Sequence, residues 1–74
     1  MKNVVTVDMN GNRYFLAGGS NWLKIVSEYP ECTLYSRRLA NEFAERALKQ
    51  WPNAVVRIYS NYGTENERYT ELAS

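Results

Sequence analysis

The chain of 74 residues contains no histidine and only one cysteine. The lack of histidine excludes Ser-His-Asp and Cys-His catalytic arrangements and the common zinc sites. The single cysteine, Cys32, excludes a disulfide bond within the chain and is typical of a reducing compartment. We interpret Cys32 as a small, partly buried strand residue, because free cysteine usually packs as a small hydrophobe. These absences predict a protein that is not an enzyme and uses neither a cofactor nor a metal.

The sequence also lacks an excess of one charge and any long apolar run. Nine basic and eight acidic residues leave a net charge of +1, which does not indicate a strongly basic nucleic-acid binder. No apolar run approaches the ~20 residues of a membrane helix. The first residues, MKNVVTVDMNGN, have no apolar core of a secretion signal. We expect a single domain, residues 1–74, that is cytoplasmic and does not enter a membrane.

A β-hairpin is predicted around Asn10-Gly11, because a type I′ turn needs positive φ at both central positions. A two-residue loop places Asp8 opposite Arg13 and Val7 opposite Tyr14, so that charges and apolar side chains match across the pair. The remaining predicted pairs are Met9 with Asn12, Thr6 with Phe15, and Val5 with Leu16. We predict strands over residues 3–8 and 13–17.

The segment Gly18-Gly19-Ser20 follows the second strand, as a phosphate-binding loop would. It lacks the glycine and lysine spacing of such a loop. We interpret these glycines as the place where the strand ends, with positive φ supplied by glycine.

A helix is predicted in SRRLANEFAERALKQWP, where apolar residues recur at helical spacing. Ser36 is suited to the N-cap, and Pro52 ends the helix near Trp51. Arg37 and Arg38 fall in the first turn, where positive charge opposes the helix dipole. Unless neighbouring glutamates offset them, these arginines indicate a contact outside the chain, either with carboxylates or with phosphates.

The other segments complete a predicted α+β fold, in which one helix covers one face of a small antiparallel sheet. AVVRIYS is a predicted strand over residues 54–60, and CTLYS a short one. Three conformations remain possible for the segment GGSNWLKIVSEYPE: a strand, a helical turn or a folded loop. Residues 68–72 are predicted to form either an edge strand or a frayed end. The predicted core is Val5, Val7, Tyr14, Leu16, Leu34, Phe43, Ala47, Val56 and Ile58.

The sheet face opposite the helix is predicted to be apolar and aromatic. A single helix cannot cover both faces, so we expect this face to be partly bare, buried in a partner, or used for self-association as a homodimer. Tyrosine, tryptophan and arginine are enriched at binding hot spots. The candidate partner-binding residues are Tyr14, Phe15, Trp22, Arg37, Arg38, Arg57 and Tyr59. The alternative is a small DNA- or RNA-binding or transcription-regulatory module, since aromatics beside arginines can stack bases.

The polar SEYPECTLYS is followed by RRLANEFAERALKQWPNAVVRIY, an order that resembles small stand-alone proteins of bacteriophages and mobile elements, several anti-CRISPR proteins among them. In those proteins a run like TLYS leads into an alanine-rich helix and then a valine-rich strand. The resemblance covers residues 4–59 and is one of order and composition, so it assigns no site residue. It implies a non-enzymatic inhibitor that binds a host protein or ribonucleoprotein complex in the host cytoplasm. An example of such a target is a CRISPR surveillance complex, whose nucleic-acid-binding surface the inhibitor would mask.

Overall fold

A computed structural model describes residues 2–72 and shows a five-stranded antiparallel sheet with one α-helix. The elements are β1 (Asn3–Met9), β2 (Asn12–Gly19), β3 (Trp22–Val26), a short 3₁₀ helix (Tyr29–Glu31), α1 (Arg37–Gln50), β4 (Val55–Ser60) and β5 (Arg68–Leu72). The strand order is β3-β2-β1-β4-β5. The predicted α+β fold is confirmed. The segment left open before the helix contains β3, and residues 68–72 form the edge strand β5.

The hairpin of β1 and β2 forms in the predicted register. Asn10 and Gly11 have φ values of 52° and 79°, as a type I′ turn requires. The described ladder runs from Met9 opposite Asn12 to Thr6 opposite Phe15. The predicted pair of Val5 and Leu16 lies beyond its end, because another segment approaches β2 there.

That segment is residues 33–35, which hydrogen-bond to the ends of both β1 and β2. The Thr33 N–H donates to the Leu16 carbonyl at 3.2 Å, and Tyr35 and Asn3 exchange backbone hydrogen bonds of 2.7 and 2.9 Å. The predicted strand in CTLYS is thus a single bridge at Tyr35. Leu34, predicted in the core, is 45% exposed, because Tyr35 takes the buried position beside it.

β2 ends at Gly19, as the glycines predicted, but both glycines belong to the strand as its last two residues. Gly18 pairs with Leu23 and Gly19 with Trp22 in the ladder to β3. Gly18 has φ 109°, and a Cβ at that position would collide with the Trp22 carbonyl oxygen. The predicted positive φ is confirmed at Gly18. The close approach of β3, which also requires glycine at this position, was not predicted.

α1 begins and ends as predicted, with the Ser36 hydroxyl accepting the Leu39 N–H at 3.4 Å and Trp51 at the C-cap. Its buried side consists of Phe43 and three alanines, whose small side chains let the helix lie close to the sheet. It covers one face of the sheet: Val5, Val7, Leu16, Val56 and Ile58. The predicted core is confirmed except for Leu34, while Tyr14 is half-buried at its margin. Within residues 2–72, no helix is long and apolar enough to cross a membrane.

Candidate binding site

The sheet face away from α1 carries a cluster of five aromatic rings, which we call the aromatic face. β2, β4 and β5 contribute one ring each, and the other two come from the 3₁₀ helix and from the turn after β4. Centroids of neighbouring rings are 5.1 to 5.8 Å apart, a favourable spacing for edge and tilted packing. The rings are Phe15, Tyr29, Tyr59, Tyr62 and Tyr69.

The centre of the aromatic face is covered by the chain itself. Phe15 is 7% exposed and Tyr59 3%, because Tyr29 and Tyr62 pack over them from outside the sheet. The expectation that one helix leaves this face bare is therefore wrong at its centre. It holds at the margin, where Tyr29 and Tyr69 are 41% and 56% exposed.

Two arginines lie on rings of the aromatic face. The Arg13 guanidinium is 5.4 Å from the centroid of Tyr59, and the Arg57 guanidinium is 4.9 Å from that of Tyr69. Both distances are within cation–π range. Arg57 was a predicted contact residue, whereas Arg13 was predicted as the partner of Asp8 in the hairpin and not as a contact residue.

Carboxylates on the same face neutralise these arginines. Asp8 accepts two hydrogen bonds from Arg13, at 3.0 and 3.1 Å, and lies 3.6 Å from Arg57. Glu71 accepts a further hydrogen bond from Arg57 at 3.0 Å. The hydrogen bond to Asp8 raises the pKa of Arg13, and the one to Glu71 raises that of Arg57. The face is aromatic and locally neutral.

Trp22 extends this surface along the edge strand β3. Its ring is 55% exposed, and the Lys24 ammonium lies 5.5 Å from the ring centroid. Trp22, Lys24 and Val26 occupy every second position of β3, so their side chains lie on the same side of the sheet. Val26 packs against the buried part of the aromatic face, which places all three on that side.

The predicted contact residues do not form one surface. The aromatic face and its β3 edge bring together Phe15, Trp22, Arg57 and Tyr59. Tyr14 packs against the core on the α1 side. Arg37 and Arg38 lie exposed at the start of α1. The contributions of Tyr29, Tyr62 and Tyr69 were not predicted, because no periodicity indicates which way a turn or an edge strand folds back.

A groove lies at the start of α1, on the opposite side of the sheet. It has a volume of about 670 Å³, and although most of its lining residues are polar or charged, apolar atoms supply more of its surface than polar ones. We call it the α1 groove. Its lining residues are Asn3, Arg37, Ile58, Ser60, Glu67, Arg68, Tyr69 and Thr70.

Cys32 and the carboxylates are the side chains to consider for nucleophilic or metal chemistry among the described residues. Cys32 packs against the aromatic face, and burial raises the pKa of its thiol, which disfavours the nucleophilic thiolate. Among residues 2–72, no three cysteine or carboxylate side chains lie close enough together to hold a metal ion. The interpretation of Cys32 as a partly buried packing residue agrees with this position, but its predicted place in a strand is wrong, because Cys32 is the C-cap of the 3₁₀ helix.

Comparison with protein-family models, with curated proteins and with solved structures finds no match for this chain. What the protein does has to be inferred from its own geometry.

Proposed function

We propose that the protein is a non-enzymatic binding protein that docks on a partner protein through the aromatic face and the adjoining edge of β3. The observation that carries the proposal is the exposure of Trp22, Tyr29 and Tyr69 on one side of the sheet, around arginines already paired within the chain. Tyrosine, tryptophan and arginine are the residues that dominate interface energies.

The surface is organised before a partner arrives. Packing between neighbouring rings and the ion pairs of Arg13 and Arg57 hold these side chains in place. Binding would therefore lose little side-chain entropy, which otherwise costs about 0.5–1.5 kcal/mol per immobilised long side chain. Tyrosine also suits a surface that is wet when free and buried when bound, because its ring packs while its hydroxyl hydrogen-bonds.

The more specific proposal is an inhibitor from a phage or mobile element that masks the nucleic-acid-binding surface of a host defence complex, such as a CRISPR surveillance complex. Its support is the resemblance of residues 4–59 to small anti-CRISPR proteins. The neutral charge of the aromatic face indicates how such an inhibitor would mask its target. Masking would be steric, because a face with as many arginines as carboxylates does not imitate a phosphate backbone.

The alternative, a nucleic-acid-binding module, is favoured by one observation: an exposed Trp22 beside Lys24 can stack a base and attract a phosphate. Against it, the arginines beside the rings are engaged by Asp8 and Glu71. A phosphate would have to displace these carboxylates.

The test begins with affinity capture from a bacterial lysate and continues with the purified captured complex. We expect the protein to prevent this complex from binding its DNA or RNA target in a mobility-shift assay. Trp22→Ala and Tyr69→Ala should each weaken inhibition about thirtyfold, the loss of one hot spot of about 2 kcal/mol. Lys49→Ala, on the outer face of α1, is the matched control and should inhibit like the parent chain.

Three results would contradict the proposal. The first is that the protein captures no complex from the lysate. The second is that Lys49→Ala weakens inhibition as much as Trp22→Ala does. The third is direct binding to free DNA or RNA that falls by about one log unit per log of salt for each phosphate contact, which would establish the nucleic-acid alternative instead.

A further inference from the structure

Strand β3 forms one edge of the sheet, and among residues 2–72 it pairs only with β2. Its sequence, WLKIV, contains four apolar residues, one lysine and no proline. Proteins usually protect an exposed edge with charged side chains, proline or a bulge, because a row of unpaired backbone groups attracts another strand. The other edge strand, β5, carries Arg68 and Glu71, and Glu71 is held by Arg57. β3 is therefore the less protected edge.

The hydrogen bonds of β2 determine which backbone groups of β3 face outward. On the β1 side of β2, Thr33 donates its N–H to the Leu16 carbonyl at 3.2 Å, and its hydroxyl accepts the Gly18 N–H at 3.0 Å. The backbone groups of Leu16 and Gly18 therefore point away from β3. In the antiparallel ladder these two residues lie opposite Ile25 and Leu23, whose own N–H and carbonyl groups then point away from β2. No other described segment hydrogen-bonds to them, so they are open to an added strand.

Lys24 lies at the middle of β3, is exposed, and belongs to the side of the aromatic face. Its ammonium group lies 5.5 Å from the Trp22 ring centroid and forms no ion pair with a described carboxylate. Because Leu23 and Ile25 would supply the hydrogen bonds to an added antiparallel strand, Lys24 would face that strand in a non-hydrogen-bonded pair, where opposing side chains are closest. An opposite charge stabilises such a pair, and a like charge destabilises it. The added strand should therefore place a carboxylate opposite Lys24.

A second copy of this chain fits the same edge poorly. Two β3 strands that pair antiparallel about a two-fold axis, over their full length of five residues, place the two Lys24 side chains opposite each other. This arrangement is destabilising. A shifted register separates the lysines but pairs fewer residues of a strand that is already short. The like charge thus acts against self-association and leaves the edge to a different chain.

We propose that β3 binds an extended segment of the partner protein as a sixth, antiparallel strand of the five-stranded sheet. The segment places an aspartate or glutamate opposite Lys24 and apolar residues opposite Trp22 and Val26. Backbone hydrogen bonds to Leu23 and Ile25 supply affinity, and the alternate side chains supply specificity, as in other cases of β-strand addition. The inference rests on the proposed function, since β3 adjoins the aromatic face, and it specifies the chemistry of the partner.

The probe is a terminally blocked peptide, Thr-Val-Thr-Glu-Thr-Val-Thr, which presents valine, glutamate and valine on one side of a strand. We expect saturable NMR shifts along β3 of the ¹⁵N-labelled protein and slower hydrogen exchange at the amides of Leu23 and Ile25. The Lys24 amide, which points toward β2, should exchange slowly with or without the peptide, and the amides of β5 should not change. No saturation at about 5 mM peptide would overturn the proposal. Binding that leaves the Leu23 and Ile25 amides unprotected would also overturn it.

Two N-methylated peptides separate strand pairing from general stickiness. Methylation of the two threonines that flank glutamate removes the donors to the Leu23 and Ile25 carbonyls. It should weaken binding about tenfold or more, the loss of two hydrogen bonds. Methylation of the glutamate nitrogen, which points away from β3, should leave binding unchanged. Equal affinities of the two methylated peptides would overturn the proposal.

The charge preference is tested by replacing the glutamate of the peptide with lysine, which should weaken binding to the parent chain about fivefold. Lys24→Glu should reverse this preference. Lys49→Glu makes the same change of net charge on the outer face of α1 and should keep the preference of the parent chain. A preference that survives Lys24→Glu, or that Lys49→Glu reverses equally, would overturn the proposal.

The remaining outcomes identify other occupants of the edge. Protection of the Leu23 and Ile25 amides that grows with protein concentration, without peptide, would show that a second copy pairs there and would overturn the proposal. Tighter binding of single-stranded DNA at β3 that leaves these amides unprotected would overturn it as well. Peptide pairing by a protein that captures no complex contradicts the proposed function but supports the strand site. Inhibition of a captured complex without peptide pairing contradicts strand addition and leaves docking through the aromatic face.

Discussion

The aromatic face and the α1 groove each contain two arginines, and the two regions use them in opposite ways. On the aromatic face, Arg13 and Arg57 lie over tyrosine rings and are held by carboxylates. In the groove, Arg37 and Arg68 have no carboxylate partner among the described residues. The first pair belongs to the cohesion of the fold, and the second adds exposed positive charge that no described contact holds in place. A net charge of +1 conceals this division.

The largest expected effect comes from removing the ring at the centre of the aromatic face. Phe15→Ala should lower the free energy of unfolding by about 3–5 kcal/mol, because the buried ring supports two tyrosines above it. Ser60→Ala in the groove should change it by less than about 0.5 kcal/mol. Chemical denaturation followed by tryptophan fluorescence measures both. Similar values for the two variants would show that the aromatic face is not the more cohesive region.

Gly18→Ala tests the backbone that joins the two regions, because the Gly18 carbonyl accepts the Tyr35 hydroxyl on the helix side at 2.9 Å. With φ 109° and the Trp22 carbonyl in the way, a side chain should destabilise the fold by about 1–3 kcal/mol. Gly19→Ala meets nothing within 4 Å and has an ordinary φ, so it is the matched control. Thermal melting of the two variants should differ clearly, and equal melting temperatures would contradict the close approach of β3.

Arg57→Gln compares a paired arginine with an unpaired one. It should destabilise the protein by about 1 kcal/mol, since it removes a hydrogen-bonded ion pair in a small charge network. Arg68→Gln should leave the stability within about 0.5 kcal/mol of the parent value. A double-mutant cycle of Arg57→Gln with Glu71→Gln should recover most of the loss as coupling energy. No coupling would mean that the pair contributes nothing to stability.

The smallest expected effect has the opposite sign. Arg37→Glu should stabilise the protein by about 0.5 kcal/mol, because a carboxylate in the first turn of α1 suits the helix dipole. Chemical denaturation measures this change. A destabilised variant would contradict the view that Arg37 opposes the helix dipole without a compensating contact among the described residues.

Short-range rules predicted the hairpin and the helix well. Asn10-Gly11 determines the turn conformation, and the register then follows from the matching of Asp8 with Arg13. The N-cap at Ser36 and the buried stripe of α1 depend on positions only a few residues apart. These features are local, so neighbouring residues contain the information needed.

The aromatic face could be predicted only in part. Alternation along β2 and β4 placed Phe15 and Tyr59 on one face, but nothing near Tyr29 or Tyr62 in the sequence indicated that they would cover it. Leu34 was misplaced for a related reason: the Tyr35 backbone bonds to Asn3, 32 residues away, and this contact determines which side chain points inward.

By itself, the sequence determined the α+β class, the hairpin register, the limits of the helix and the absence of histidine chemistry, because each depends on composition or on local spacing. Only the tertiary structure decided which arginines are neutralised, which rings are covered, and that Asn3, Ser60 and Arg68 of three neighbouring strands pair side by side at the α1 groove. These contacts join residues that are distant in sequence, because the strand order β3-β2-β1-β4-β5 places their strands side by side.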